Sequence, residues 1–82
     1  MKEFKFTVSD PVGIHARPAG VLVKAVKASG SAVNITKGDK TVDASRLMAV
    51  MSLGVKQGEE INISVEEDDR FEEIKAFFEE NL

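Results

Sequence analysis

Apolar and polar residues alternate through Phe4, Lys5, Phe6, Thr7 and Val8, the period-two pattern of a half-buried strand. Ser9-Asp10-Pro11-Val12-Gly13 breaks the run, and the period then changes. Ala19, Leu22, Val23 and Val26 fall at i, i+3, i+4 and i+7, one buried helical face, with Lys24 and Lys27 off it. Pro18 suits a first helical turn, where its missing N–H costs nothing, so a helix is predicted to start near Ala16 to Pro18. Ser29-Gly30-Ser31 stops it, with Gly30 near the C-cap. Ala32 to Thr36 reads as a second strand and Lys37-Gly38-Asp39-Lys40 as a turn. Thr41 and Val42 open a short third strand, completing a hairpin.

Ser45 is the expected N-cap of a second helix running from Arg46 to Leu53 and ended by Gly54. Ile61, Ile63 and Val65 alternate with Asn62 and Ser64 as a fourth strand. Asp68 or Asp69 is expected to cap a last helix, in which Phe71, Ile74 and Phe78 keep helical spacing and Phe77 widens the apolar face. The order β-α-β-β-α-β-α implies an α+β fold, an antiparallel sheet with helices on one face. In the second helix Leu47, Met48, Val50, Met51 and Leu53 are too many apolar residues for one narrow stripe. About half must fill the core; Leu47, Met48 and Met51 can form an exposed patch, and methionines suit surfaces that bind several partners.

Composition narrows the class. Eighty-two residues fit one domain, residues 1–82, and 43% hydrophobic with 30% charged residues describe a folding chain. Without cysteine, disulfides, thiolate catalysis and cysteine-held metals are excluded. The alternating N-terminus lacks the apolar core of a signal peptide, and no run approaches the ~20 residues that span a bilayer, so a cytoplasmic protein without membrane attachment is expected. The net charge of −3 is unevenly spread. Residues 1–58 hold nine of the eleven basic and four of the fourteen acidic residues, a surplus of five positive charges; the remainder has a surplus of eight negative ones. Such polarity can steer an acidic partner. Scattered basic residues without Trp or Tyr argue against nucleic acid.

The candidate chemistry lies in Gly13-Ile14-His15-Ala16-Arg17-Pro18, which holds the only histidine. The first amides of a helix lack internal partners and the macrodipole is positive there, so an anion carried on His15 would meet the free N–H groups of Ala16 and Arg17. The Arg17 guanidinium adds a planar fork suited to phosphate oxygens. The same field disfavours a protonated imidazole and favours the neutral, nucleophilic form. A lone histidine can equally be an ordinary exposed turn residue; the adjoining Arg17-Pro18 pair favours the phosphate carrier. One histidine without cysteine, and without paired acids beside it, argues against a hydrolase or a metal site.

Gly13-Ile14-His15-Ala16-Arg17-Pro18-Ala19 and Leu47-Met48-Ala49-Val50-Met51-Ser52-Leu53-Gly54, in this order, resemble the two signatures of HPr, the histidine-containing phosphocarrier family of the bacterial phosphoenolpyruvate-dependent sugar phosphotransferase system. The resemblance spans essentially the whole chain. It implies an open-faced β-sandwich, with a four-stranded antiparallel sheet covered by three helices. It implies that His15 accepts a phosphoryl group on Nδ1 from enzyme I and passes it to a sugar-specific enzyme IIA, that Arg17 holds the phosphate, and that Lys24, Lys27, Leu47, Met48 and Met51 dock partners. Such a carrier is a monomer with no cofactor, no metal and no turnover of its own. One departure concerns regulation. Many relatives carry Lys-Ser ahead of the second signature, the serine being the substrate of an HPr kinase/phosphorylase that links HPr to a carbon-catabolite regulator. Here the pair is Ser45-Arg46, and Ala49 replaces a frequent glycine. Ser45 is the candidate phosphosite if that branch operates, although a structural serine is the simpler expectation. An HPr-like regulatory module acting on a transcription factor or enzyme is the alternative function.

Overall fold

A computed structural model describes residues 1–14 and 16–82. The strands are β1 (Lys2–Thr7), β2 (Val33–Lys37), β3 (Lys40–Asp43) and β4 (Glu60–Val65); the helices are α1 (Ala16–Ser29), α2 (Leu47–Ser52) and α3 (Phe71–Asn81), the last preceded by a 3₁₀ turn at Asp68–Arg70. The sheet runs β1-β4-β2-β3 and every neighbouring pair is antiparallel. The expected order of elements and the one-sided helical cover are both present.

Register explains why one face is covered and the other open. Phe4 opposes Ile63, Ile63 opposes Ile35, and Ile35 opposes Val42, an apolar row across all four strands. The next row over the opposite face is Lys5, Asn62, Thr36 and Thr41. Thr36 and Thr41 share a 2.8 Å hydrogen bond there. Because side chains alternate with period two, a single set of pairings sends Phe4, Ile63, Ile35 and Val42 to the helices and Lys5, Asn62, Thr36 and Thr41 to the open face. The helices answer with Leu22 and Val26 of α1, Val50 of α2 and Phe71, Ile74 and Phe78 of α3, all buried. Phe78 stacks edge-on against Phe4 and Phe6, with ring centroids 5.7 and 5.6 Å away.

Several expected boundaries shift. Ser45 does not cap α2: Arg46 holds the N-cap position, with φ −116° and ψ 110°, and makes no side-chain cap. The reason is Asp43, whose Oδ1 accepts both the Ser45 N–H (2.8 Å) and the Ser45 hydroxyl (2.7 Å), an Asx turn that outcompetes the cap. Neither Asp68 nor Asp69 caps α3; both lie inside the 3₁₀ turn, and Asp68 pairs with the N-terminal ammonium at 3.1 Å. The third strand starts at Lys40, because Gly38 at φ +62° turns the hairpin in two residues.

Candidate functional site

The segment leading into α1 is held from both sides. Asp10 accepts the Val12 N–H on its carboxylate and the Gly13 N–H on its carbonyl, each at 2.9 Å, and the Ile14 N–H donates to the Val55 carbonyl at 3.0 Å. Gly13 has φ +78°, and a Cβ there would overlap the Val55 carbonyl and sit 2.8 Å from the Lys56 Cα. Only glycine permits that approach. Buried Ile14 then plugs the segment into the core. The opposing turn is braced in its own right: Glu59 accepts the Lys56 N–H at 2.7 Å and pairs with Lys37 at 3.1 Å. These contacts hold the Glu59 carboxyl below its ordinary pKa, the Lys56 backbone bond contributing most and Lys37 next. The Lys37 ammonium also donates to the Leu53 and Gly54 carbonyls at 3.2 and 3.1 Å, closing the end of α2 with a cation where the helix dipole is negative.

Helix α1 starts at Ala16 with no acidic residue in its first turn. Ala16 and Arg17 are exposed, and no carboxylate lies within 4 Å of the Arg17 guanidinium among the described residues. Arg17 lines a hollow of about 220 Å³ with Asp10, Pro18, Val21 and Asn81. His15, its Nδ1 and its ionisation lie outside the described residues.

A second surface forms where α2 meets α1. Val50 is buried, whereas Leu47, Met48 and Met51 are 39%, 77% and 37% exposed. A groove of about 540 Å³ brings Lys27 together with Ser45, Arg46, Leu47, Met48 and Ala49. Lys24 is exposed on α1, but neither it nor Met51 lines this groove. Sequence reasoning did not single out Val21, 45% exposed beside Arg17, and it named Arg46 as a departure in the Ser45-Arg46 pair without placing it at the groove rim. Val21 was visible in principle, since it falls off the buried face of α1. At Asp43, hydrogen bonds from the Ser45 hydroxyl and then the Ser45 N–H hold the carboxyl below its ordinary value, with a smaller contribution from Arg46. No cluster of three metal-ligating side chains occurs among the described residues.

A family model described as the PTS HPr component phosphorylation site matches residues 2–80. The chain belongs to the HPr phosphocarrier family. The phosphocarrier protein HPr of Lysinibacillus sphaericus is 39% identical over 76 residues, covering 93% of this chain and 86% of that protein. The crystal structure of HPr-C-His from Thermoanaerobacter tengcongensis has a TM-score of 0.87 at 38% identity, covering 99% of this chain and 91% of that one. An HPr dimer from the same organism gives a TM-score of 0.69 at 39% identity, over 96% and 91% of the two chains. The open sheet with three helices on one face is therefore the HPr architecture, as the signatures implied.

Proposed function

We propose that this protein carries a phosphoryl group on His15 Nδ1, receiving it from phosphorylated enzyme I and delivering it to an enzyme IIA. Family membership supports the carrier role, and the observation that supports this site is the loop beside it, where the Gly13 and Ile14 anchors feed directly into an α1 first turn that carries exposed Arg17 and no acid. In each transfer a P–N bond to the donor breaks as one to the acceptor imidazole forms. The carrier contributes an oriented nucleophile and an anion-tolerant surface rather than turnover of its own. The backbone amides of Ala16 and Arg17 and the Arg17 guanidinium are assigned to the phosphate oxygens. Lys24, Lys27, Leu47, Met48 and Met51 are assigned to partner docking. The same reading takes residues 1–82 as one cytoplasmic, monomeric domain without cofactor; no helix among the described residues is long and apolar enough to cross a membrane.

Ser45 fits a structural role better than a regulatory one. Its hydroxyl already donates to the Asp43 carboxylate at 2.7 Å, and a phosphate there would set a dianion against that carboxylate. Incubation with HPr kinase/phosphorylase and ATP is expected to leave Ser45 unmodified by mass spectrometry.

The deciding experiment for the carrier role is incubation with phosphoenolpyruvate and enzyme I. The expected product is an acid-labile, base-stable phosphate that is absent from His15→Ala. No adduct on the unaltered protein would leave the regulatory binding module as the better reading.

A further inference from the structure

We infer that Lys37 is a positioning residue for phosphoryl transfer, fixing the turn between α2 and β4 on which the segment preceding His15 is seated. This rests on the carrier reading above and adds to it a residue that belongs neither to the acceptor motif nor to the docking face.

The seat is built at two points. Near β1, the Gly58 N–H donates to the Val8 carbonyl at 2.8 Å and the Gln57 carboxamide donates to the Ser9 carbonyl at 3.1 Å. At the far end, the Ile14 N–H donates to the Val55 carbonyl, and Gly13 comes so close to Val55 and Lys56 that no Cβ fits between them. Both ends of the segment from Val8 to Ile14 therefore rest on one turn, and a shift of that turn moves the whole segment.

Glycine bounds this turn on both sides, Gly54 at φ +60° and Gly58 at φ +86°. Among the described residues, no atom beyond the adjacent ones lies within 4 Å of where either Cβ would stand, so neither position is packed in place. Such residues pivot easily. Lys37 ends β2, an interior strand of the sheet, and reaches across both pivots. Ahead of the turn its ammonium donates to the Leu53 and Gly54 carbonyls at 3.2 and 3.1 Å; behind the turn it pairs with Glu59 Oε1 at 3.1 Å. The same Glu59 oxygen accepts the Lys56 N–H at 2.7 Å, inside the turn. One cation on a rigid strand thus spans the turn from end to end. A partly exposed ion pair adds little to global stability, so the consequence of this one falls on the geometry of the seat. That geometry matters, because misplacing reacting groups by about 1 Å can cost about a hundredfold in rate.

Three variants test the tie: Lys37→Met, which keeps the stem without the charge; Glu59→Ala, which leaves Lys37 on the α2 carbonyls; and the two combined. In phosphoryl transfer from phospho-enzyme I, each single variant should lower kcat about threefold to tenfold with KM within about twofold of the unaltered protein. The double variant should be no slower than the slower single one, since both break the same tie. Amide hydrogen exchange at Ile14 should quicken about threefold or more in all three, while the Leu22 and Ile63 amides keep their protection. Exchange that quickens equally at Ile14, Leu22 and Ile63 would make Lys37 a contributor to stability alone and overturn the inference. A raised KM at unchanged kcat would also overturn it, by placing Lys37 at the partner interface. If the unaltered protein accepts no phosphate, the carrier reading fails and this inference with it; if it accepts phosphate and both single variants match it, only this inference fails.

Discussion

At Gly13 a side chain is excluded by two independent facts, a φ of +78° and the backbone of Val55 and Lys56 where a Cβ would stand. Gly13→Ala should therefore cost about 2–3 kcal/mol or more by denaturant unfolding, since left-handed strain alone is worth about 1 kcal/mol and the opposing atoms are backbone that cannot rotate away. Any variant that stays folded should transfer phosphate more slowly, because Ile14 would lose its 3.0 Å bond to the Val55 carbonyl. Two carboxyls give a second test. Asp43 and Glu59 both sit below their ordinary values of 3.8 and 4.5, so the folded state binds fewer protons than the unfolded one near those values. Their contribution is present above the ordinary values and is lost as pH falls through the lower folded ones. Denaturant titrations from pH 6 to pH 2 should show a shallower decline for the Asp43→Asn and Glu59→Gln variants than for the unaltered protein. The Gly13 to Pro18 motif was legible in sequence because its chemistry is local. Why Gly13 is glycine was not, since the obstructing atoms are more than forty residues away in the chain.

Helix α2 has six residues, too few to be stable alone, and it persists because Val50 and Leu53 are buried and Lys37 closes its last carbonyls. The two faces of this one element should respond differently to substitution. Val50→Ala removes buried methyls and should cost about 2 kcal/mol by thermal or denaturant unfolding. Met48→Asp, at an exposed position, should change stability by less than about 0.5 kcal/mol while raising KM in phosphoryl transfer. Equal destabilisation by both would show that Met48 packs rather than docks. The shortness of α2 also explains what its sequence concealed. In α1, fourteen residues repeat the apolar face often enough to orient the helix, and Ala19, Leu22, Val23 and Val26 are buried as their spacing required. In α2 fewer than two turns leave the stripe undefined, so an apolar surplus could be counted but not assigned. The caps failed for a related reason: Ser45 and Asp68 had acceptable chemistry, but Asp43 and the N-terminal ammonium claimed them first.

Across the whole molecule the charge asymmetry is less cleanly separated than the linear sequence suggests. Glu79 and Glu80 lie in the last turn of α3, and with Asn81 and Leu82 they border a hollow shared with Ser9, Asp10 and Pro11, the segment that leads into the Gly13 to Pro18 motif. Asn81 also lines the hollow beside Arg17. Acidic charge thus reaches the neighbourhood of the one segment expected to meet a phosphoryl donor, and it does so at a helix C-terminus that carries no basic residue to offset the dipole. Both circumstances point the same way. Replacing Glu79 and Glu80 by glutamine removes two like charges from the negative end of α3, which should raise stability by about 0.3–1 kcal/mol per residue at low ionic strength. It should also speed association with an acidic-surfaced donor about twofold to threefold, measured as kcat/KM for phosphorylation by enzyme I, because long-range steering responds to net field rather than to contacts. The stability gain and the rate gain should both fade as salt is raised toward 0.5 M, where the Debye length falls to about 4 Å. A rate gain that survives high salt would have to come from a direct contact of Glu79 or Glu80 with the partner, and a rate loss would mean that the donor presents cations to this edge.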